Sequence, residues 1–336
     1  MRLFGIAIAA ALCIGTAAQA QTLDEVRERG YLNCGVNTGL AGFASPNADG
    51  DWEGFDVDYC RAVAAAIFDD PAAVRYRPLT SQERFTALQS AEIDVLSRNT
   101  TWTFTRDISV GIDFIGVSYY DGQGFMVPAS LGVTSALDLD GARICVQTGT
   151  TTELNLSDYF RANDMSYDSV VIQTNEEASR NYLAEACDAY TTDISGLAAV
   201  RATFDDPDSH IILADVISKE PLGPVVRQGD HQWADLNRWV LNAMIAAEEM
   251  GVTSVNVEEM AATSTNPNIM RLLGTEGDLG SLMGLEAAWA YQVIHHVGNY
   301  GEVFDRSIGT GSLLGLERGL NASWTEGGLM FAPPMR

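Results

Sequence analysis

The chain has 336 residues, of which 45 are Asp or Glu and only 20 are Lys or Arg, Lys219 being the single lysine. So acidic a surface repels nucleic-acid phosphates and anionic lipid head groups, which makes both poor partners. A hydrophobic content of 46% is that of an ordinary globular protein and excludes a disordered chain.

Residues 1–20 read as a processing signal. Met1 and Arg2 give a positive start, Leu3 to Ala18 an apolar run, and Ala18-Gln19-Ala20 a small-x-small cleavage pattern. The run is shorter than the roughly 20 residues that span a bilayer, and none like it recurs, so the mature chain is expected to be exported without inserting into a membrane. Leu12 before Cys13 argues against a lipid anchor there. What remains is long for one hydrophobic core and suits two lobes.

Leu23 to Arg29 has a helical pattern, Tyr31 to Val36 alternates as a strand, and a glycine-rich loop runs from Gly35 to Ser45. A helix is expected over Asp56 to Ile67, another over Ser81 to Ser90, and a strand at Ile93 to Leu96. The rhythm restarts with a strand at Ala142 to Gln147, a helix at Thr151 to Arg161, a strand at Ser169 to Gln173, a helix at Glu176 to Glu185 and a strand at Asp188 to Thr191. A helix at Ser195 to Thr203 follows. Such βα alternation predicts an α/β protein with parallel strands and ligands at their carboxyl ends. The chain is expected to cross between lobes near Tyr120 to Phe125 and to return near Ser218 to Arg227. That assigns 21–122 and 222–336 to a discontinuous first lobe and 123–221 to a second. Beyond the helix at Gln232 to Met250, helical patterns at Pro267 to Leu273 and Leu285 to Val297 mark a C-terminal extension whose plain role is packing on the first lobe.

Four cysteines remain in an exported chain: Cys34, Cys60, Cys145 and Cys187. Two disulfides are expected, with three pairings open; pairing 34 with 60 and 145 with 187 would keep each bridge inside one lobe. No Cys-x-x-Cys or His-Glu-x-x-His occurs, and the four histidines lack ligand spacing, so neither a metal nor any other cofactor is called for.

One run carries chemistry. Asp94 to Arg106 places a strand end, a series of hydroxyl and amide donors, and then Arg106 within a short span. An arginine beside a loop is ordinarily a surface ion pair, but a guanidinium is also the best bidentate partner for a carboxylate. Thr150-Thr151-Thr152-Glu153 has the capping-box spacing, with Thr150 as N-cap, so a helix should begin there and favour an anion in front of it. A cap alone would merely stabilise its helix, and Asp193 alone would merely cap the next one.

In combination these segments closely resemble the polar amino-acid binding proteins of ABC importers. The likeness rests on Gly54-Phe55-Asp56-Val57-Asp58, on Arg84 to Ser90, on Asp94 to Arg106, on Val146 to Glu153, on Cys187 to Asp193, and on Gly298-Asn299-Tyr300-Gly301-Glu302. It covers essentially the whole mature chain and is strongest to the general L-amino-acid binding subgroup, which includes receptors for glutamate, glutamine, aspartate and asparagine. The resemblance implies a two-lobed periplasmic binding protein of type II with a two-segment hinge. It also implies a free L-amino acid as ligand, an inner-membrane ABC permease as partner, and a monomer. By the same likeness Arg106 would clamp the ligand α-carboxylate and Asp193 its ammonium. Thr101 and Thr151 would add donors to the carboxylate, Asn99 would face the ammonium, and Phe85 would pack on the aliphatic stem. Asn37 and Leu40 match first-loop contacts at which basic-amino-acid receptors carry an acid and an aromatic, which argues against lysine or arginine as ligand. Thr148 falls in the second-lobe loop of the site, and Arg98 is placed to meet a side-chain carboxylate or amide. A cyclohexadienyl-dehydratase-like lyase on the same fold is the alternative; it would need a further general acid that the cleft motifs do not supply.

Overall fold

A computed structural model describes residues 22–336. The expected signal segment and cleavage site lie outside the described residues.

The strands, in chain order, are β1 (Leu32–Asn37), β2 (Ser45–Pro46), β3 (Trp52–Glu53), β4 (Val74–Leu79), β5 (Val95–Leu96), β6 (Ile112–Phe114) and β7 (Tyr119–Asp121). They continue with β8 (Gln123–Pro128), β9 (Ala142–Gln147), β10 (Tyr167–Ile172), β11 (Ala189–Asp193), β12 (His210–Ile212), β13 (Glu220–Leu222) and β14 (Val225–Arg227). Two five-stranded sheets result, in the orders β4-β1-β5-β14-β6 and β10-β9-β11-β8-β12. Helices Phe55–Phe68 and Arg84–Gln89 are the crossovers of the first, Thr151–Ala162 and Asn175–Leu183 those of the second. β1 is buried at five of its six positions, as a strand covered on both faces must be.

Parallel pairing holds only for the opening strands of each lobe. β1 runs parallel to β4 and β5, and β9 parallel to β10 and β11, but β14 pairs antiparallel with β5 and β6, and β8 antiparallel with β11 and β12. The antiparallel members are those that enter or leave a lobe, which the βα rhythm does not describe. β4 was not foreseen. Its sequence, Val-Arg-Tyr-Arg-Pro-Leu, exposes its arginines, and Pro78 is tolerated because the strand lies at the sheet edge. The expected helix at Ser81 to Ser90 begins only at Arg84, since the Glu83 carboxylate accepts from both the Thr80 amide and hydroxyl and holds a turn there. The helix expected from Leu285 begins at Trp289.

β7 and β13 pair antiparallel, with Asp121 opposite Glu220, Tyr120 opposite Pro221 and Tyr119 opposite Leu222. Through these two strands the chain passes between the sheets. One disulfide ties β1 to helix Phe55–Phe68 through Cys34 and Cys60; the other, Cys145–Cys187, ties β9 to the loop before β11. Each stays on one sheet and leaves the crossing strands free.

The C-terminal extension packs its helices Trp289–His296 and Tyr300–Ser307 against Phe55–Phe68 and His231–Glu249. Trp289, Tyr300 and Phe304 are buried there. The Gly298 to Glu302 motif is a capping box: Asn299 accepts from the Glu302 amide, and the Glu302 carboxylate accepts from the Asn299 amide. Asn321 grips the crossing strand, accepting from the Tyr120 amide at 2.7 Å and donating to its carbonyl at 3.1 Å.

Candidate ligand site in the cleft

β5 ends at Leu96, and the turn that follows is held from beneath by Asp56. The Asp56 carboxylate accepts from the Ser97 hydroxyl at 3.2 Å and from the Asn99 amide at 3.0 Å. Burial nevertheless pushes its pKa up to about 6. This gives the Gly-Phe-Asp motif a physical purpose. Gly54, at φ 126°, makes a turn in which a Cβ would lie 2.4 Å from the Phe43 carbonyl oxygen, and that turn delivers Asp56 to the loop. Asp94, by contrast, is structural: it binds the Arg29 guanidinium and the Asn33 amide.

Asn99, the residue that Asp56 positions, has a left-handed backbone with φ 30°. Such strain persists only where surrounding contacts impose it, and Asn is among the residues that tolerate it best. Its amide group spans the cleft. Asn37 donates to Asn99 Oδ1 at 3.0 Å, and Asn99 Nδ2 donates to Asp193 Oδ2 at 3.4 Å. Asn175 of the second lobe completes the chain by donating to Asn37 Oδ1 and the Gly39 carbonyl, at 3.1 and 3.2 Å.

Three arginines converge on the first-lobe wall. Arg84 and Arg98 are buried, and burial lowers both, Arg98 to about 10 and Arg84 well below the usual range, where repulsion from Arg106 and Arg98 adds to the effect. Arg98 donates through Nε to the Leu79 carbonyl at 2.8 Å. Arg84 Nε, Arg98 Nη2 and Ser81 Oγ are buried without a hydrogen-bond partner among the described residues, although all three side chains line one small cavity. Arg106, in helix Phe104–Ser109, donates to the Thr101 carbonyl at 3.0 Å. Phe85 lies under the Arg84 and Arg106 guanidiniums, 4.8 and 5.4 Å from its ring centre.

The facing wall belongs to the second lobe. Thr150 caps helix Thr151–Ala162 by accepting from the Glu153 amide, as its spacing suggests. The Glu153 carboxylate, however, turns to the Gly149 amide at 3.0 Å rather than back to Thr150. Asp193 stands at the N-cap of helix Ile194–Arg201 but makes no capping hydrogen bond; its buried carboxylate points to Asn99 instead. Burial raises its pKa well above the usual value, helped by the neighbouring carboxylates of Asp121 and Glu220. Asp121, which accepts from Ser195, is raised to about 6, again mainly by burial.

Arg98, Asn99, Thr101, Thr151 and Asp193 therefore line one cavity between the lobes. Arg106, Phe85 and Asn37 stand behind the residues that line it, and Thr148 is not among the lining residues; its hydroxyl accepts from Gln82 Nε2 at 3.5 Å. Leu40 is buried in the first-lobe core. Four residues of the site escaped the sequence reading as site residues: Arg84, Asn175, Asp121 and Glu220. Arg84 stood in plain view within the Arg84-Phe85 motif, whereas the other three carry no local signal. The cavity is small, with about 20 Å³ of space, enough for about one water.

Residues 32–254 match the model of the bacterial extracellular solute-binding proteins, family 3, and the chain belongs to that family. It is 57% identical over 330 residues to a general L-amino acid-binding periplasmic protein of Rhizobium johnstonii, covering 98% of this chain and 97% of that one. It is 58% identical over 333 residues to a glutamate/glutamine/aspartate/asparagine-binding protein of Rhodobacter capsulatus, covering 99% of this chain and 98% of that one. Among solved structures, a periplasmic binding protein of an ABC transporter from Brucella ovis, with glutathione bound, superposes with a TM-score of 0.92 at 58% identity, over 94% of this chain and all of that one.

Proposed function

We propose that the protein is a periplasmic receptor that closes its two lobes over a free L-amino acid and presents it to an ABC permease. The observation that carries this reading is Asp193. A helix-capping position whose carboxylate declines to cap, is buried, and faces the opposite lobe has been left for another cation, and a ligand ammonium is the natural one. Across the cleft Arg106, with Thr101 and the first turn of helix Thr151–Ala162, suits the α-carboxylate.

The first-lobe wall offers more positive charge than one carboxylate needs. Arg84, Arg98 and Ser81 bring unpaired donors to the same cavity, and buried donors without partners cost about 1–3 kcal/mol each. A second carboxylate, or a side-chain amide, on the ligand would satisfy them. We therefore place glutamate, aspartate and their amides ahead of neutral and basic amino acids. γ-Glutamyl compounds deserve inclusion as a second class, because the Brucella ovis relative holds glutathione, which has the same α-amino-acid head. Both curated relatives bear the names of binding proteins, and neither is named for a reaction, so the lyase alternative loses ground.

Calorimetry and thermal-shift measurements on the full mature chain with glutamate, glutamine, aspartate, asparagine, lysine and glutathione test the reading. A ligand of the native state raises the melting temperature. The expected result is binding of the acidic and amide ligands, each recovered chemically unchanged. No response to any of them, or conversion of one into product, would reject it.

A further inference from the structure

Glu220 lies on β13, one of the two strands that connect the lobes, and is 1% exposed. Its carboxylate is saturated by four side-chain donors drawn from both sides of the cleft. Oε2 accepts from the Thr101 hydroxyl of the first lobe at 2.6 Å and from the Thr151 hydroxyl of the second at 2.9 Å. Oε1 accepts from Asn155 of the second lobe at 2.7 Å and from Ser218 at 2.6 Å. The two threonine hydroxyls themselves stand only 3.3 Å apart. One oxygen atom thus bonds both jaws simultaneously, beside the cavity that Thr101 and Thr151 line.

Separating the lobes moves Thr101 from Thr151, so Oε2 cannot keep both donors in an open form. Charge-assisted hydrogen bonds of this kind are roughly twice as strong as neutral ones. We propose that Glu220 is the latch of closure: a positioning residue that stabilises the shut conformation and aims the two threonine hydroxyls while remaining outside the ligand contacts. The proposal rests on the receptor reading, but closure can be followed without any ligand.

The test compares wild type with Glu220→Gln. The amide removes the charge and keeps one acceptor oxygen; its nitrogen can bond a hydroxyl only if that hydroxyl turns to accept, so the charge-assisted bonds to both jaws are lost. Stopped-flow tryptophan fluorescence with L-glutamate should show dissociation about tenfold faster or more, with the association rate within about twofold, since encounter occurs in the open form. Small-angle scattering of the ligand-free variant should show a larger radius of gyration than wild type. Thr151→Val, which leaves the carboxylate intact, should shift the scattering of the ligand-free protein the same way, and the double variant should expand less than the sum of the two single variants, because both changes weaken the same Thr151–Glu220 bond. Additive effects of the two substitutions, or dissociation and scattering both equal to wild type, would overturn the latch. If wild type binds no glutamate, the ligand assignment is what fails, and scattering then decides the latch by itself: expansion of both variants supports it, equality with wild type rejects it.

Discussion

Arg106 and Asp193 are asked to hold opposite ends of one zwitterion, and truncating either should therefore cost far more than a surface charge would. Removing one partner of a buried, hydrogen-bonded charge pair typically costs about 2–5 kcal/mol. Arg106→Ala is expected to lose affinity by that amount while the protein still folds, since the one hydrogen bond of its side chain among the described residues goes to the Thr101 carbonyl; near-normal affinity by calorimetry would contradict the role. Asp193→Asn should weaken binding comparably. It should also leave the melting temperature of the ligand-free protein unchanged or higher, because the buried carboxylate caps nothing and sits near Asp121 and Glu220. Arg84 is the residue for discriminating ligands. Arg84→Met is expected to reduce affinity for glutamate more than for glutamine or asparagine, because a guanidinium gains most from a full charge; equal losses across the three would argue that Arg84 only supports the wall.

The elements of the first lobe are arranged to deliver a loop. Strand β1 and helix Phe55–Phe68 are joined by the Cys34–Cys60 bridge, and that helix carries Asp56 to the turn after β5. Gly54 is the pivot of this arrangement. Gly54→Ala would place a methyl group against the Phe43 carbonyl in a backbone region that L residues avoid. A loss of at least about 1–3 kcal/mol of stability is expected, read as a lower denaturant midpoint. Ligand affinity should fall with it, since Asn99 takes its position from Asp56. A stable variant with unaltered binding would show that the loop is set by other contacts. The Gly54-Phe55-Asp56 and Asp94 to Arg106 motifs, separate in the chain, are thus one structural unit.

At the scale of the whole molecule the closed cleft brings together acids whose titration should be visible. Asp193 is raised well above the usual value and Asp121 to about 6, both chiefly by burial. A carboxylate with a raised folded-state pKa binds its proton more tightly when folded than when unfolded. Its contribution therefore favours the fold at low pH and is lost as pH rises from about 4 through the raised value, and ligand-free stability should decline over that interval. The proposed ammonium contact has the opposite preference, since it favours ionised Asp193. Affinity is expected to fall on acidification, with protons released on binding wherever Asp193 is part-protonated in the ligand-free protein. Calorimetry in buffers of differing ionisation enthalpy measures the release; a zero proton count at every pH at which the protein stays folded would mean that Asp193 does not meet the ammonium.

Much of this protein could be read from the chain because the signals are local. The βα rhythm, the Thr150 cap and the hydroxyl-rich run ending in Arg106 each depend on residues a few positions apart, where helix and strand periods and capping rules apply. The edge strand β4 escaped because its arginines and Pro78 hide the alternation. The antiparallel β8 and β14 escaped because they belong to the crossings. What only the tertiary structure decided is the meeting of residues far apart in the chain: Asn175 with Asn37, 138 positions away, and Thr101 with Glu220, 119 away. It also decided among the cysteine pairings. Nothing in a short window of sequence marks Glu220, because its significance comes from the crossing strand that brings four donors to one carboxylate, and that convergence exists only once the two sheets face each other.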